Sequence, residues 1–305
     1  MIMIIIGKKY GQLGTRLFLY AHFIANANDN DNCIFNPAFE EYATYFEGPS
    51  KQVFVRYRPP YMASIGKNPR GTRKVEKLLG SLISTISLKF MDILAFIEYN
   101  ESSFHKILWL DPDDFFHFSD QSFVELVSSH KFIIIAGWRF ENGEELKRNR
   151  KEICSYFTPI KSLIENIKKI IVEARAGHDI LVGVHIRLGD YLNWNEGKYY
   201  YNPIIYKKLM NTIINQIPGK RVGFMVCSNE RIDPEVWTGL DVVYGTGQLV
   251  EDMYSLAECD YIIGPPSTFS MWASFYGKKP LYIVKNPERA FSLDDFKICD
   301  DLVPP

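Results

Sequence analysis

Val182-Gly183-Val184-His185-Ile186-Arg187-Leu188-Gly189-Asp190-Tyr191 opens as a strand and closes in a glycine turn. Side chains alternate across a strand, so Val184 and Ile186 point one way and His185 and Arg187 the other. The strand is expected over 180–186, with Gly177-His178-Asp179 as punctuation before it. Asn202-Pro203 then opens a helix to 216, Asn as cap and Pro in the first turn. Strands are expected at 221–227, 261–263 and 280–284, and helices at 249–258 and 267–276. This alternation predicts parallel strands joined by crossover helices.

The preceding half repeats the theme. A strand is expected at 2–6, a loop from Gly7 to Gly14, and a helix at 15–27, where Leu17, Tyr20, Ala21, Ile24 and Ala25 recur at helical spacing. Strands follow at 52–55, 106–110 and 132–136, and helices at 73–87 and 161–176. The expected organisation is two α/β domains, 1–176 and 177–285, with a segment 286–305 packing back on the first. Ligands of open parallel sheets lie beyond the carboxyl ends of the strands.

Composition narrows the chemistry. A chain of 305 residues, 47% hydrophobic and 23% charged, has the make-up of a globular protein with sizeable cores. A net charge of -1 sets up no global field for nucleic acid or an anionic membrane, so an anionic ligand needs a few placed cations. The 18 Tyr, 21 Phe and 5 Trp suit a ring-rich core, with some rings available to stack on sugars. Cys33, Cys154, Cys227, Cys259 and Cys299 are odd in number and lack metal-ligand spacing, which predicts free thiols in a reducing compartment. Met1 to Ile6 has no basic n-region before it and is too short for a signal peptide or a span. A cytoplasmic protein of bacterial type, without a membrane span, is expected.

Four segments carry candidate chemistry. Arg187 falls at a strand's carboxyl end, where a guanidinium binds phosphate bidentately. Asp190 is placed to orient it or to receive a proton, and His185 to buttress the pair by hydrogen bonding. A strand-end salt bridge with a core histidine accounts for the same residues equally well. In Gly264-Pro265-Pro266-Ser267-Thr268-Phe269 a helix starts after a strand, offering N–H groups to an anion or simply an N-cap. Gly7-Lys8-Lys9-Tyr10-Gly11-Gln12-Leu13-Gly14 has the wrong glycine spacing for a dinucleotide fingerprint or a Walker loop. Asp111-Pro112-Asp113 has the acid-x-acid form of a divalent-cation site, against which a turn with a helix cap is the preferred reading. Lys147 to Lys151 reads as the solvated face of a polar helix, and 192–196 as a polar loop able to rim a site.

In order along the chain, these segments resemble the α-1,2-fucosyltransferase family, glycosyltransferase family 11. The family's His-x-Arg-x-Gly-Asp-Tyr stands intact at 185–191 and its Ser-Thr-Phe-Ser-x-Trp at 267–272. Similar segments are Gln12-Leu13-Gly14-Thr15-Arg16, Gly137-Trp138-Arg139-Phe140, Tyr156-Phe157-Thr158-Pro159, Cys227-Ser228-Asn229, and the run from Asp252 through Cys259 to Ile262-Ile263. The sequence departs from the pattern at Thr15, Arg16, Leu188 and Pro265-Pro266.

The resemblance implies a GT-B-like fold, two Rossmann-like domains with a nucleotide-sugar cleft. It implies inverting transfer of L-fucose from GDP-β-L-fucose to a glycan acceptor, at the 2-OH of a galactoside, with no metal or cofactor beyond the donor. Arg187, Asp190 and His185 are the expected catalytic residues. Arg187, Ser228, Asn229, Asp252, Ser267, Thr268 and Phe269 are expected on the donor, with Asp252 accepting from guanine or serving the helix dipole. Thr15, Arg16, Trp138 and Arg139 are expected on the acceptor side, and Asp190 or Glu141 as the base. The alternatives are another GDP-sugar as donor, or a non-catalytic protein that binds nucleotide-sugars or glycans.

Overall fold

A computed structural model describes residues 2–30, 32–52, 55–57, 105–109 and 115–302. The chain forms two compact units, Met1–Ile160 and Lys161–Pro305. The helix expected at 161–176 therefore belongs to the second unit, and the domain boundary lies before it.

In the first unit, β1 (Met3–Ile6), β2 (Cys33–Phe35), β3 (Arg56–Tyr57), β4 (His105–Trp109) and β6 (Phe132–Ala136) form one sheet in the order β3-β2-β1-β6-β4. All pairings are parallel except β2 with β3. Helix α1 (Leu13–Asn30) buries Leu13, Leu17, Tyr20, Ala21, Ile24 and Ala25 completely, the face its spacing predicts. Of the strand expected at 52–55, residues 53 and 54 lie outside the described residues; Val55, at φ 48°, is outside the extended region, and pairing is present at 56–57. A short pair, β5 (Phe116–His117) with β7 (Phe140–Glu141), and α2 (Gln121–Ser129) complete the unit with α3 (Gly143–Arg148) and α4 (Arg150–Tyr156). The basic run at 147–151 is thus split between two helices at Asn149, whose side-chain amide donates to Ala25 O at 3.3 Å. The expected helix at 73–87 lies outside the described residues.

The second unit is built on β8 (Ile180–Ile186), β9 (Val222–Ser228), β10 (Val242–Tyr244), β11 (Tyr261–Gly264) and β12 (Leu281–Ile283). Its helices are α5 (Lys161–Arg175), α6 (Pro203–Gln216), α7 (Leu249–Glu258) and α8 (Thr268–Gly277). The sheet is wholly parallel in the order β10-β9-β8-β11-β12. Every residue of β8 after Ile180 is buried, as a central strand covered on both faces requires. The chain moves outward through β9 and β10, then returns to β8's other side as β11. The order therefore reverses between β8 and β11, and the loops leaving these strands diverge to open a crevice.

The amino ends of these strands are clamped by ion pairs. Arg175 grips Asp260 with two nitrogens at 2.9 and 3.0 Å, and Asp260 also accepts from Leu181 N at 2.8 Å. The C-terminal segment from 286 falls within the second unit. The Phe291 ring stacks on Tyr282 at 4.5 Å and Phe296 packs at 5.5 Å, burying rings that would otherwise face water. Lys297 bridges Leu281, and Gln216 ties both Phe291 O and Leu293 N.

Candidate active site

Arg187 follows β8 directly, at the reversal point. Its Nη2 lies 2.7 Å from Asp190 Oδ2, and its guanidinium sits 5.6 Å from the Tyr191 ring centroid. The Arg187 side chain is 14% exposed and that of Asp190 50%, so the pair is rooted in the protein and opens to solvent on the acid side. Gly189 makes the turn with φ 49°, and a Cβ there would stand 2.6 Å from Glu230 Oε1. The left-handed backbone is what favours glycine here, since the exposed Glu230 side chain can swing aside. Asn229 Oδ1 accepts from Leu188 N at 2.8 Å, which holds the turn against the end of β9.

Tyr191 closes the crevice from below. Its hydroxyl donates to Pro266 O at 2.7 Å, linking the loop after β8 to the loop after β11. Burial pushes its phenol above the ordinary range, so it stays a neutral donor.

His185 does not form the hydrogen-bonded buttress expected of it. Its ring is 3% exposed and stacks on Phe269 at 4.8 Å, while Nδ1 has no hydrogen-bond partner. Burial, with the Arg187 charge adding, lowers its pKa to about 3, so it is neutral at working pH. Gly264 makes room for it: a Cβ there would lie 3.0 Å from the His185 Cβ. The histidine is thus a flat, neutral ring packed against Phe269 in the first turn of α8.

Ser267 caps α8, its hydroxyl accepting from Phe269 N at 3.3 Å. The ordinary cap is therefore present, and it occupies that N–H. Trp272 is fully buried and donates to the Tyr254 hydroxyl at 3.2 Å, tying α8 to α7.

An open pocket of about 490 Å³ lies at the carboxyl ends of β9 and β10, and Asn229, which accepts from Leu188 N, lines it. Ser228, Asn229, Tyr244, Thr246, Gly247 and Asp252 are among its lining residues. Asp252, in the first turn of α7, is 5% exposed and accepts from Gly247 N at 3.2 Å. Burial raises its pKa from 3.8 to about 6, against the Gly247 and Thr246 hydrogen bonds and with the neighbouring Glu251 charge adding to the rise. Glu251 is itself buried and held by Asn166 Nδ2 at 2.8 Å and the Thr246 hydroxyl at 2.7 Å. The sequence reading had Ser228, Asn229 and Asp252 but not Tyr244, Thr246 or Gly247. The Gly-Thr-Gly at 245–247 ahead of a capped helix was the available signal.

The structure thus brings Arg187, Asp190, His185, Ser228, Asn229, Asp252, Ser267, Thr268 and Phe269 to one end of one sheet. Residues 146–297 match the family profile described as Glycosyl transferase family 11. The chain belongs to glycosyl transferase family 11. The matched region of this family 11 chain contains every donor-side residue just placed.

Three solved structures share its fold. They are a variant of FUT1 from Arabidopsis thaliana in complex with GDP (14% identity, TM-score 0.53, 93% of this chain and 70% of that one); the fucosyltransferase NodZ from Bradyrhizobium (16%, 0.50, 94% and 97%); and POFUT1 in complex with GDP (11%, 0.51, 91% and 95%). These are GT-B-like fucosyltransferases, and the family 11 chain has that α/β architecture with parallel sheets. No curated protein sequence matches the chain.

The acceptor-side candidates Thr15, Arg16, Trp138 and Arg139 lie in the first unit. Arg16 is taken up by its own surroundings: Nη1 donates to Ala38 O at 3.0 Å and to Glu41, Nη2 to Gly11 O at 3.1 Å, and the guanidinium lies 5.1 Å from the Tyr42 centroid. Arg16 clamps the loop after β1. Arg139 Nε lies 3.5 Å from Glu141 Oε1, with Phe115 and Trp138 at 5.7 and 5.9 Å from its guanidinium. Asp111 and Asp113 lie outside the described residues; among the described ones no three His, Cys, Asp or Glu gather in a form that could hold a metal ion. The five cysteines are free, and Cys33, Cys227 and Cys259 are buried. No described helix is long and apolar enough to cross a membrane.

Proposed function

We propose that this family 11 chain transfers L-fucose from GDP-β-L-fucose to a glycan hydroxyl, the 2-OH of a galactoside, with inversion and without a metal ion. The reading rests on one juxtaposition: a guanidinium fixed at the end of β8, and at the ends of the neighbouring β9 and β10 a pocket whose wall carries the buried carboxylate Asp252. The first is a site for a diphosphate, the second for a base that presents two adjacent N–H donors. That the FUT1 and POFUT1 neighbours are in complex with GDP supports the assignment.

In the proposed reaction the bond between fucose C1 and the β-phosphate oxygen breaks, and the electron pair leaves with GDP. The acceptor oxygen bonds to C1 from the opposite face, and its proton passes to a carboxylate, Asp190 or Glu141. Negative charge grows on the departing phosphate, where Arg187 is already in place and costs no reorganisation. Asp190 holds the guanidinium in register. Ionised Asp252 accepts from guanine N1–H and the 2-amino group, an arrangement adenine does not satisfy. Thr15, Trp138 and Arg139 serve the acceptor, and Arg16 shapes their loop.

The deciding experiment is incubation with GDP-fucose and a panel of galactosides in excess EDTA, with product linkage read by NMR. An α-1,2-linked fucoside formed at an undiminished rate in chelator is expected. Turnover that requires a divalent ion, or GDP release only from another GDP-sugar, would overturn the reading. GDP binding without turnover of any acceptor would point to a binding protein.

A further inference from the structure

The loop that follows Tyr191 carries a ladder of rings away from the phosphate residue. Tyr191 and Trp194 lie 4.8 Å apart, and Trp194 and Tyr199 5.7 Å. The ladder starts at Arg187, whose guanidinium covers Tyr191. Trp194 remains 45% exposed with both neighbouring rings in place, so much of the indole surface faces solvent. Leu192 and Tyr200, at 58% and 37%, extend the apolar surface.

Burial would be the ordinary fate of an indole. The backbone instead takes three consecutive left-handed residues, Asn195 at φ 49°, Glu196 at φ 57° and Gly197 at φ 74°. The two non-glycine members are sterically costly, and strain of this kind concentrates at ligand clamps. Asn193, Asn195 and Glu196 are exposed, and their side chains form no hydrogen bond with the described residues. An exposed ring whose chain neighbours are unengaged amides and a carboxylate matches a pyranose, with one C–H face to stack and hydroxyls at its rim. A nucleobase would use the face but leave the rim unmatched, and the pocket proposed for the nucleoside lies elsewhere, at the ends of β9 and β10.

We propose that residues 192–200 form a carbohydrate-binding platform on the second unit, with Trp194 stacking on a pyranose ring of the acceptor. It rests on the glycosyl-transfer reading above and adds an acceptor subsite where only donor residues had been placed. A ring seated on Trp194 is one aromatic step from Tyr191 and two from Arg187, within an oligosaccharide's reach of the donor carbon. The platform fixes the acceptor by shape before the first unit contributes contacts.

The test is saturation-transfer NMR on the full chain with GDP present, using lactose and the methyl glycosides of galactose, glucose, N-acetylglucosamine and fucose. Trp194→Ala and Trp194→Tyr are compared with the parent, and GDP affinity is measured by calorimetry in all three. The expected result is sugar binding by the parent, retained by Trp194→Tyr and weakened about ten-fold or more in Trp194→Ala, in line with the loss of a ring stack. GDP affinity should be equal throughout. Where transfer is measured, the loss should appear in the acceptor KM rather than in the donor KM. Undiminished sugar binding in Trp194→Ala, or no binding of any of these sugars by the parent, would overturn the platform. Loss of GDP affinity in Trp194→Ala would make the loop part of the donor site and also overturn it. Failure of the parent to bind GDP, with sugars still bound through Trp194, would sink the donor reading and leave the platform standing.

Discussion

Arg187 Nη2 and Asp190 Oδ2 meet at 2.7 Å across the left-handed turn of Gly189. An ion pair half open to water contributes little to stability. Its geometry matters more, because it fixes the guanidinium at the carboxyl end of β8, where the strand order reverses.

Arg187→Ala is expected to lower transfer by roughly 100-fold to 1,000-fold, the usual cost of removing a preorganised group that stabilises developing charge. The fold should survive, because the Asp190 left behind is solvent-exposed. Circular dichroism and single-turnover transfer measure both. Arg187→Lys keeps the charge without the bidentate fork and should recover part of the rate. Near-normal turnover by a folded Arg187→Ala would remove Arg187 from the mechanism.

Asp190→Asn separates orientation from proton transfer. If Asp190 only positions Arg187, kcat falls while the shape of the pH–rate profile is kept. If it is the base, the acidic limb of the profile vanishes. The first outcome is expected, since its carboxylate is already engaged by Arg187. Thermal stability should change by less than about 1 kcal/mol.

Gly189→Ala should destabilise the protein by about 1–2 kcal/mol from the left-handed backbone alone. The added methyl also meets the Glu230 carboxylate at 2.6 Å, which can swing aside, and the Asn229 side-chain amide at 3.2 Å, next to the Leu188–Asn229 bond. A raised donor KM together with a lower Tm is the expected pattern. An unchanged KM would mean that the turn does not position the donor.

Asp252 links pH to both binding and stability. Its pKa is raised by burial from 3.8 to about 6, so the folded state holds its proton more tightly than the unfolded chain. The stabilising contribution is full below about pH 4 and disappears as pH rises through about 6, a swing on the order of 2–3 kcal/mol. Guanine requires the ionised form, so GDP affinity should fall as pH drops through 6. Calorimetry with GDP and ADP from pH 5 to 8 reads this directly. Asp252→Asn should be more stable at pH 7, lose the pH dependence, and discriminate poorly between guanine and adenine. A GDP affinity independent of pH over this range would dissociate Asp252 from the base.

Much of this molecule was legible in local pattern. The strand at 180–186, the Asn-capped helix at 203–216 and the helix at 249–258 stand where apolar spacing and capping residues put them. Arg187 at a strand's carboxyl end followed from alternation alone, because each is a property of a few consecutive residues. β10 escaped notice: three residues are too few for a period to declare itself, yet the strand supplies one wall of the pocket. The polar loop at 192–196 also hid its role, since the contacts that stack Trp194 between Tyr191 and Tyr199 depend on left-handed backbone that no periodicity reveals.

Periodicity along the chain was enough for layers of strand and helix and a glycine turn behind a cation, and the intact motifs at 185–191 and 267–272 carried the resemblance to a family. Neither was enough to set β11 beside β8, to lay Phe269 on His185, or to bury Asp252 until its proton is held near pH 6. Those features join residues dozens of positions apart, and their energies come from desolvation and packing that exist only once the sheet has assembled.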